Sequence, residues 1–348
     1  VISRGIHEEK AYKWESSGAD GYIIEEATKD SYGTDIILHI KKKDDDFDYD
    51  EYLTEYKIKE LVRKYSDYIK YPIKMECSHE HLKDKEKNEY ETVKEIETLN
   101  SMIPIWQKNK KDVKEEEYNN FYTDKFFDFE KPLKVIHTSV EGQCSYKAIL
   151  FIPSHAPYDF YTKEYEKGLQ LYTNGVLIMD KCSELLPDYF SFVRGVVDTL
   201  DLSLNISRET LQQDKNIKLI AKSIENKIKN ELTSMLNNDF EEYKNFFKTF
   251  GMQLKFGAYN NYGMDKDKLK DLIIFYSSNK QDYVTLKQYV DSMEKDQDCI
   301  YYASGESISK VDSLPQVEQV KQKGYDILYL TDYVDEFVIQ IGRASCRE

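Results

Sequence analysis

The sequence predicts an α/β protein that is divided into two or three packed units. At 348 residues, the chain is longer than one typical hydrophobic core can accommodate. Strand-like and helical segments alternate after residue 132, and a long amphipathic helix is expected from about Leu211 to Leu236. Hydrophobic residues make up 40% of the chain and include many aromatics, which supplies enough apolar area for folding.

The first 75 residues read as the end of one domain. Gly21 to Ile24 and Asp35 to Ile40 are predicted strands, because β-branched residues cluster there between polar, glycine-containing breaks. Apolar residues then recur at helical spacing from Tyr49 to Ile69. Two strands cannot form a core alone, so these elements should belong to a larger layered domain.

Residues 76–97 are dominated by Glu, Lys, Asp and His. Such a segment cannot bury enough apolar surface to order itself, and we interpret it as a charged linker. A second domain should therefore begin near residue 98.

The second domain is predicted to contain an α/β unit over 98–237, a helical connector over 238–276 and a small αβα unit over 277–340. Four strands are expected in the first unit, at Leu133–Val140, Tyr146–Ile152, Leu169–Tyr172 and Val176–Met179. The connector is rich in phenylalanine. The last unit reads as strand, helix, strand over Cys299–Ala303, Ile308–Lys323 and Asp326–Leu330, which is a βαβ pattern.

Composition argues against several kinds of partner. A net charge of -15 repels phosphate backbones, which disfavours nucleic acid. The five cysteines are widely spaced, which indicates neither a disulfide framework nor a zinc site and fits a reducing cytoplasm. His79 with His81, and the acidic cluster Asp332, Asp335 and Glu336, lack further ligands at suitable spacing, so no metal site is expected. No apolar run approaches membrane-spanning length, and the start resembles the middle of a domain rather than a signal peptide.

The segment LSLNISRETLQQDKNIK, residues 202–218, is the best candidate for chemistry. A polar loop carrying Ser207 and Arg208 leads into the long helix. A helix N-terminus and a guanidinium both favour a phosphate group. The structural alternative has Asn205 or Ser207 capping the helix and Arg208 in a surface ion pair, and residue chemistry alone favours that alternative.

This segment resembles the catalytic loop of the heat shock protein 90 (Hsp90) family of ATP-dependent molecular chaperones. Further resemblances to that family lie at WESS (14–17), PIWQKNK (104–110), residues 139–161, residues 175–198 and IYYASGES (300–307). They occur in the family's order and extend through residue 340. The resemblance implies the end of a GHKL-type α/β sandwich, followed by a middle domain like the second domain of ribosomal protein S5.

The resemblance also implies site residues. Arg208 matches the arginine that contacts the γ-phosphate of ATP, with Gln212 as a polar helper, and arginine fingers act by the same electrostatics. Thr34, beside Gly33, matches a nucleotide-contacting threonine. The family's general base, Mg²⁺ ligand and glycine-rich lid would precede Val1, so we expect this chain alone to bind neither ATP nor Mg²⁺ stably and to be inactive.

Client binding is implied for a set of aromatic residues: Trp106, Tyr158, Phe160 and Tyr161. For Trp106, exposure and burial are equally compatible with the sequence, whereas Tyr158 to Tyr161 follows Pro157 in an expected surface loop. The implied partners are unfolded or partly folded client proteins, the chain's own N-terminal ATPase domain, and a second copy bound through a missing C-terminal domain.

Two other interpretations remain open. One is a non-catalytic structural or client-binding module, in which Arg208 is an ordinary ion pair and the aromatic residues fill a core. The other is an ATPase of the topoisomerase or mismatch-repair type, in which a Lys reaches the nucleotide; the acidic balance and the Arg at this position disfavour it. The last eight residues, IGRASCRE (341–348), break the preceding pattern and are interpreted as a non-native tail.

Overall fold

The computed structural model describes residues 1–18, 21–43, 48–84, 89–202 and 214–339, with only the backbone described for 80–84 and 89–91. Contacts within the chain divide it into two units, Val1–Leu61 and Val62–Glu348. The division falls inside the predicted first domain, whose boundary at residue 75 stays a prediction.

The first unit is a four-stranded antiparallel sheet followed by short helical segments. Its strands have the order β3-β2-β1-β4. The elements are β1 (Ile2–Arg4), β2 (Ala11–Glu15), β3 (Ile23–Ala27), β4 (Gly33–Asp35), a 3₁₀ turn (Tyr49–Leu53) and α1 (Glu55–Leu61). The predicted strand Asp35 to Ile40 is wrong beyond Asp35. Ile36, Ile37 and Leu38 are exposed and pair with no described strand, so the ladder stops where β4 leaves β1.

The predicted charged linker forms a β-hairpin in the second unit. A π-helical turn (Val62–Ser66) precedes it, and its strands are β5 (Lys74–Asp84) and β6 (Glu89–Thr98). Side chains of the two strands contact one another: His79 Nε2 lies 2.6 Å from Glu97 Oε1, and Lys94 Nζ lies 3.2 Å from Glu76 Oε2. Our expectation that this charged segment lacks regular structure is therefore wrong for the described backbone, while its role as a linker stays a prediction.

A mixed five-stranded sheet is the centre of the second unit. Its strands are β7 (Lys134–Val140), β8 (Tyr146–Ile152), β9 (Leu169–Thr173), β10 (Val176–Cys182) and β11 (Arg194–Thr199), in the order β10-β9-β11-β8-β7. The four predicted strands are confirmed. The turn between β9 and β10 uses Asn174 at φ 53° and Gly175 at φ 77°, as a tight hairpin requires. A Cβ on Gly175 would lie 2.1 Å from the Tyr68 carbonyl oxygen, so the close approach also requires glycine.

Helices cover the two faces of this sheet. They are α2 (Glu115–Phe126), α3 (Lys215–Asn238) and α4 (Phe240–Gly263), with 3₁₀ turns at Ile105–Gln107, Lys110–Asp112, Ser183–Leu185 and Asp188–Phe190. The predicted apolar stripe of α3 is confirmed, because its residues at three- and four-residue spacing are all buried: Ile217, Ile220, Ile224, Ile228, Leu232 and Met235. Phenylalanines of α4 pack on the same core, where the rings of Phe250 and Phe192 stack with centroids 4.5 Å apart.

The C-terminal part of the second unit contains the predicted βαβ arrangement. It lies inside a four-stranded sheet with the strand order β13-β12-β15-β14. Its elements are α5 (Lys266–Leu269), a 3₁₀ turn (Lys270–Leu272), β12 (Ile274–Ser277), β13 (Asp282–Thr285), α6 (Leu286–Asp291), β14 (Tyr301–Ser304), α7 (Ile308–Asp312), α8 (Pro315–Gln322), β15 (Ile327–Leu330) and α9 (Asp335–Val338). β14 and β15 are parallel and enclose α7 and α8, so the βαβ prediction is confirmed. Ser307 caps α7 as expected, because its hydroxyl accepts the Lys310 N–H.

Candidate functional site

The end of β11 and the start of α3 flank the candidate phosphate-contacting segment. Arg208 and Gln212 lie within 203–213, outside the described residues, so their predicted roles stay predictions. The residues on either side are described in detail. They show how the chain enters and leaves the segment.

On the entry side, Thr199 and Asp201 attach the end of β11 to the turn between β7 and β8. The buried Thr199 hydroxyl donates to the Ser145 carbonyl at 2.8 Å and accepts the Asp201 N–H at 3.2 Å. The Asp201 carboxylate accepts the Ser145 N–H at 2.7 Å. The Thr173 hydroxyl lies within donating distance of two carbonyl oxygens, that of Thr199 at 2.7 Å and that of Leu202 at 3.2 Å. The chain from Thr199 to Leu202 is therefore held at several points.

On the exit side, Asp214 is the N-cap of α3. Its Oδ1 accepts the N–H groups of Asn216 and Ile217 at 2.7 and 3.2 Å, which satisfies two of the free donors at the helix start. The Asn216 side-chain amide donates to the Asp201 carbonyl at 3.3 Å. This bond joins the exit side of the segment directly to its entry side.

The aromatic loop after β8 divides its residues between surface and core. Tyr158 is fully exposed and Tyr161 is largely exposed, although the Tyr161 hydroxyl donates to the Thr249 carbonyl on α4 at 3.2 Å. Phe160 is buried, and its ring packs edge-on to Phe250 at 5.8 Å. Phe160 therefore packs as a core residue and is not available at the surface for direct client contact in this conformation.

Trp106 is buried, which decides the question of exposure that the sequence left open. It is 1% exposed, and its Nε1 donates to Asp198 Oδ2 at 3.0 Å. Gln107 donates to the same oxygen at 2.8 Å. The Trp106 ring contacts Tyr68 and Tyr172, with centroid distances of 4.6 and 5.4 Å. The indole ring is packed among aromatic side chains, and its N–H is bonded to a buried carboxylate. Direct client contact by Trp106 would require the ring to leave this core.

His137 contacts the same cluster through both of its ring nitrogens. Its Nδ1 lies 2.6 Å from the Tyr118 hydroxyl, and its Nε2 lies 3.3 Å from the Trp106 carbonyl. Because a carbonyl can only accept, the neutral tautomer with the proton on Nε2 satisfies both contacts. Burial lowers the pKa of His137 below its ordinary value, which favours this neutral form.

Gly33 and Thr34 lie on β4 in the first unit. Thr34 pairs with Ser3 on β1, and the two hydroxyl oxygens are 2.8 Å apart. Gly33 has φ 120°, in the region that favours glycine. Both residues are exposed, and a role for them in nucleotide binding stays a prediction.

The acidic cluster singled out in the sequence contains ion pairs with Lys255. Lys255, which is 4% exposed, lies 2.7 Å from both Asp332 Oδ2 and Asp335 Oδ1. Burial raises the pKa of Asp335 even though Lys255 opposes this effect. Among the described residues, no three His, Cys, Asp or Glu side chains are grouped so that they could hold a metal ion. Across the same ranges, no helix is long and apolar enough to cross a membrane.

Sequence reasoning missed the side chains that hold the flanks of the segment. Thr199 lies two residues before Asp201, and a hydroxyl side chain at this spacing can accept the N–H two residues on, which is a recognisable turn signal. The partner Ser145 lies 56 positions before Asp201, a distance that local spacing does not reveal.

The mixed sheet and the helices that cover it have the fold of a heat-shock middle domain. A solved structure of the middle domain of a putative heat shock protein from Plasmodium falciparum matches with a TM-score of 0.61 and 31% identity. The match covers 69% of this chain and 94% of that one. A family model described as Hsp90 protein matches residues 75–341.

Several curated relatives carry the name chaperone protein HtpG. The proteins from Clostridium perfringens and Clostridium acetobutylicum are 58% and 59% identical over 341 residues, and that from Bacillus subtilis is 56% identical. Each alignment covers 98% of this chain, which spans about half the length of these relatives. The chain belongs to the Hsp90 family, and the predicted family and α/β fold class are confirmed.

Proposed function

We propose that this chain is the part of an ATP-dependent, HtpG-type molecular chaperone that supplies an arginine to the γ-phosphate of ATP and a surface for client proteins. Its likeness to HtpG over nearly its whole length carries the proposal. The proposed protein acts in the cytoplasm as a homodimer, and ATP and Mg²⁺ bind to an N-terminal domain whose pocket residues precede Val1 in the family pattern.

The flanks of 203–213 support the part of the proposal that concerns ATP. Arg208 lies between a strand end held by Thr199 and Asp201 and a helix capped by Asp214. The catalytic effect of a guanidinium depends on its placement at the transferring phosphoryl group. The arginine then stabilises charge that develops on the phosphoryl oxygens in the transition state.

A chimera tests this part directly. The 341 matching residues of this chain replace their counterparts in Clostridium perfringens HtpG, and steady-state ATP turnover is measured. We expect Arg208→Ala to lower turnover by about a hundredfold, the usual effect of removing one such electrostatic contact. Lys215→Ala removes the same charge from an exposed residue near the segment and should leave turnover within about twofold. Unchanged turnover in Arg208→Ala would favour the non-catalytic module.

The aromatic loop supports the part of the proposal that concerns clients. Tyr158 projects fully into solvent from a loop anchored by the buried Phe160 and by the bond from Tyr161 to α4. An exposed aromatic ring on an anchored loop provides contact area, and little side-chain entropy is lost when it binds a partner. We therefore assign client contact to Tyr158 and Tyr161, with Phe160 as their internal support.

Binding of a permanently unfolded protein tests the client surface. Fluorescence anisotropy with labelled, reduced and carboxymethylated α-lactalbumin measures affinity for the chain. We expect Tyr158→Ser to weaken binding about fivefold or more, the effect of losing a contact worth about 1 kcal/mol. Tyr302→Ser is the matched control, because Tyr302 is also exposed but lies on β14. Equal effects of both changes, or no effect of either, would contradict the assignment.

A further inference from the structure

We propose that His155 is a pH-responsive latch that joins the aromatic loop after β8 to the loop that follows α2. The latch is closed when both ring nitrogens of His155 carry a proton, and loss of one proton opens it. The inference rests on the proposed function, since it assigns a regulation to the client surface formed by Tyr158 and Tyr161.

The His155 ring lies between two carboxylates of the loop after α2. Its Nε2 is 3.5 Å from Asp128 Oδ1, and its Nδ1 is 3.5 Å from Glu130 Oε2. The hydroxyl of the neighbouring Ser154 donates to Glu130 Oε2 at 2.9 Å and lies 3.3 Å from His155 Nδ1. Because the one proton of that hydroxyl is directed at Glu130, its oxygen can only accept from His155. Each ring nitrogen therefore faces an acceptor.

The doubly protonated ring is the form that fits these contacts. The imidazolium has an N–H on both nitrogens, whereas a neutral ring has a lone pair on one of them. In the neutral form, either that lone pair faces Asp128, or the Ser154 hydroxyl turns toward Nδ1 and leaves Glu130. Deprotonation of His155 therefore removes a link between the two loops, whichever nitrogen loses its proton.

Asp128 provides a charged partner over the whole range in which a histidine titrates. Its side chain is 6% exposed, and its carboxylate accepts the Tyr122 hydroxyl at 2.7 Å and the Glu130 N–H at 3.2 Å. Arg194, at the start of β11, lies 3.7 Å from its other side. Burial acts to raise the pKa of Asp128, but these hydrogen bonds and the charges of His155 and Arg194 outweigh burial and hold that pKa below its ordinary value.

The latch holds the near end of the loop that carries Tyr158. The far end is already fixed, because Phe160 is buried against Phe250 and the Tyr161 hydroxyl donates to α4. With His155 protonated, both ends are held, and less conformational freedom is lost when a client binds. An ordinary histidine changes its charge between about pH 5 and 8. The contribution of the latch to client affinity is therefore present near pH 6 and lost as the pH rises toward 8.

The anisotropy assay with reduced and carboxymethylated α-lactalbumin, run at pH 6 and at pH 8, tests this regulation. His155→Gln keeps a polar side chain that does not titrate, and His7→Gln is the matched control at an exposed histidine of the first unit. At pH 6 we expect the unaltered chain and His7→Gln to bind about threefold more tightly than His155→Gln, as two partly exposed ionic contacts allow. At pH 8 all three should bind alike. No difference at pH 6, or the same difference at both pH values, would overturn the proposal.

A double-mutant cycle tests the partner of His155. Glu130→Gln removes the charge but retains an oxygen that can accept from Ser154. It should remove most of the advantage at pH 6, and the double variant with His155→Gln should lose no more than His155→Gln alone. Fully additive losses would overturn the assigned contact.

Hydrogen exchange measures the latch without a client. At pH 6, the backbone amides between residues 154 and 161 should exchange more slowly in the unaltered chain than in His155→Gln, and at pH 8 the two should exchange alike. Equal exchange at pH 6 would overturn the latch. If no variant binds the unfolded protein at either pH, the proposed client function fails, and hydrogen exchange still decides whether His155 joins the two loops.

Discussion

At the scale of single residues, Trp106 illustrates how one buried side chain organises a cluster. Its indole N–H and the Gln107 amide converge on Asp198 Oδ2, while its ring packs on Tyr68 and Tyr172. Asp198 is 5% exposed, and a carboxylate so deeply buried depends on its hydrogen-bond donors. The exposed residues of the predicted client set are instead Tyr158 and Tyr161.

Replacing Trp106 with Phe should therefore destabilise the fold. The variant removes a donor to a buried carboxylate and leaves a partial cavity, which together should lower the free energy of unfolding by about 2–4 kcal/mol. Urea unfolding followed by circular dichroism measures the change. The exposed control Tyr158→Phe should shift stability by no more than about 0.5 kcal/mol. Equal stability of Trp106→Phe and the unaltered chain would show that the bond to Asp198 contributes little.

Residue chemistry alone could predict some site features and not others. The capping of α7 by Ser307 follows from local sequence, because its partner Lys310 is three residues away. The burial of Trp106 could not be predicted, since it depends on Asp198, 92 positions later, and on a strand that the sequence does not mark clearly. Arg208 was identified through resemblance, because a helix-start arginine is by itself more often an ion pair.

At the scale of secondary-structure elements, periodicity predicted α3 well and composition predicted the hairpin poorly. Six apolar residues at helical spacing are all buried on α3. The segment 76–97 has the charge of a disordered linker, yet side chains of its two strands make diagonal contacts, His79 with Glu97 and Lys94 with Glu76. Composition gives the number of charged residues but not which residues lie near one another across two strands, which is why the hairpin could not be predicted.

The buried face of α3 gives a quantitative test of this packing. Ile228 is fully buried, and Ile228→Ala should lower the free energy of unfolding by about 2–5 kcal/mol through lost contacts and a residual cavity. Leu219 lies on the opposite face of the same helix and is 45% exposed, so Leu219→Ala should cost well under half as much. Thermal or urea unfolding of both variants provides the comparison, and similar losses for the two would contradict the assigned orientation of α3.

At the scale of the whole molecule, two independent comparisons support the same family. Membership of the Hsp90 family rests on the family-model match over 75–341 and on identities near 58%. The acidic net charge of -15 opposes a nucleic-acid partner, as would be needed for the topoisomerase-type alternative. The domain boundaries predicted from the sequence stay predictions, and the division near Leu61 depends on contacts within the chain that local sequence patterns do not reveal.

The most direct test of the central claim is to separate turnover from nucleotide affinity in the Clostridium perfringens chimera. Turnover is measured across ATP concentrations, and binding of a non-hydrolysable ATP analogue is measured by calorimetry, for the unaltered chimera and for Arg208→Ala. We predict a fall in kcat of about a hundredfold with analogue affinity changed by less than about threefold, because the arginine acts mainly on the transition state. Unchanged kcat, or an equal loss of affinity and turnover, would contradict the catalytic role of Arg208.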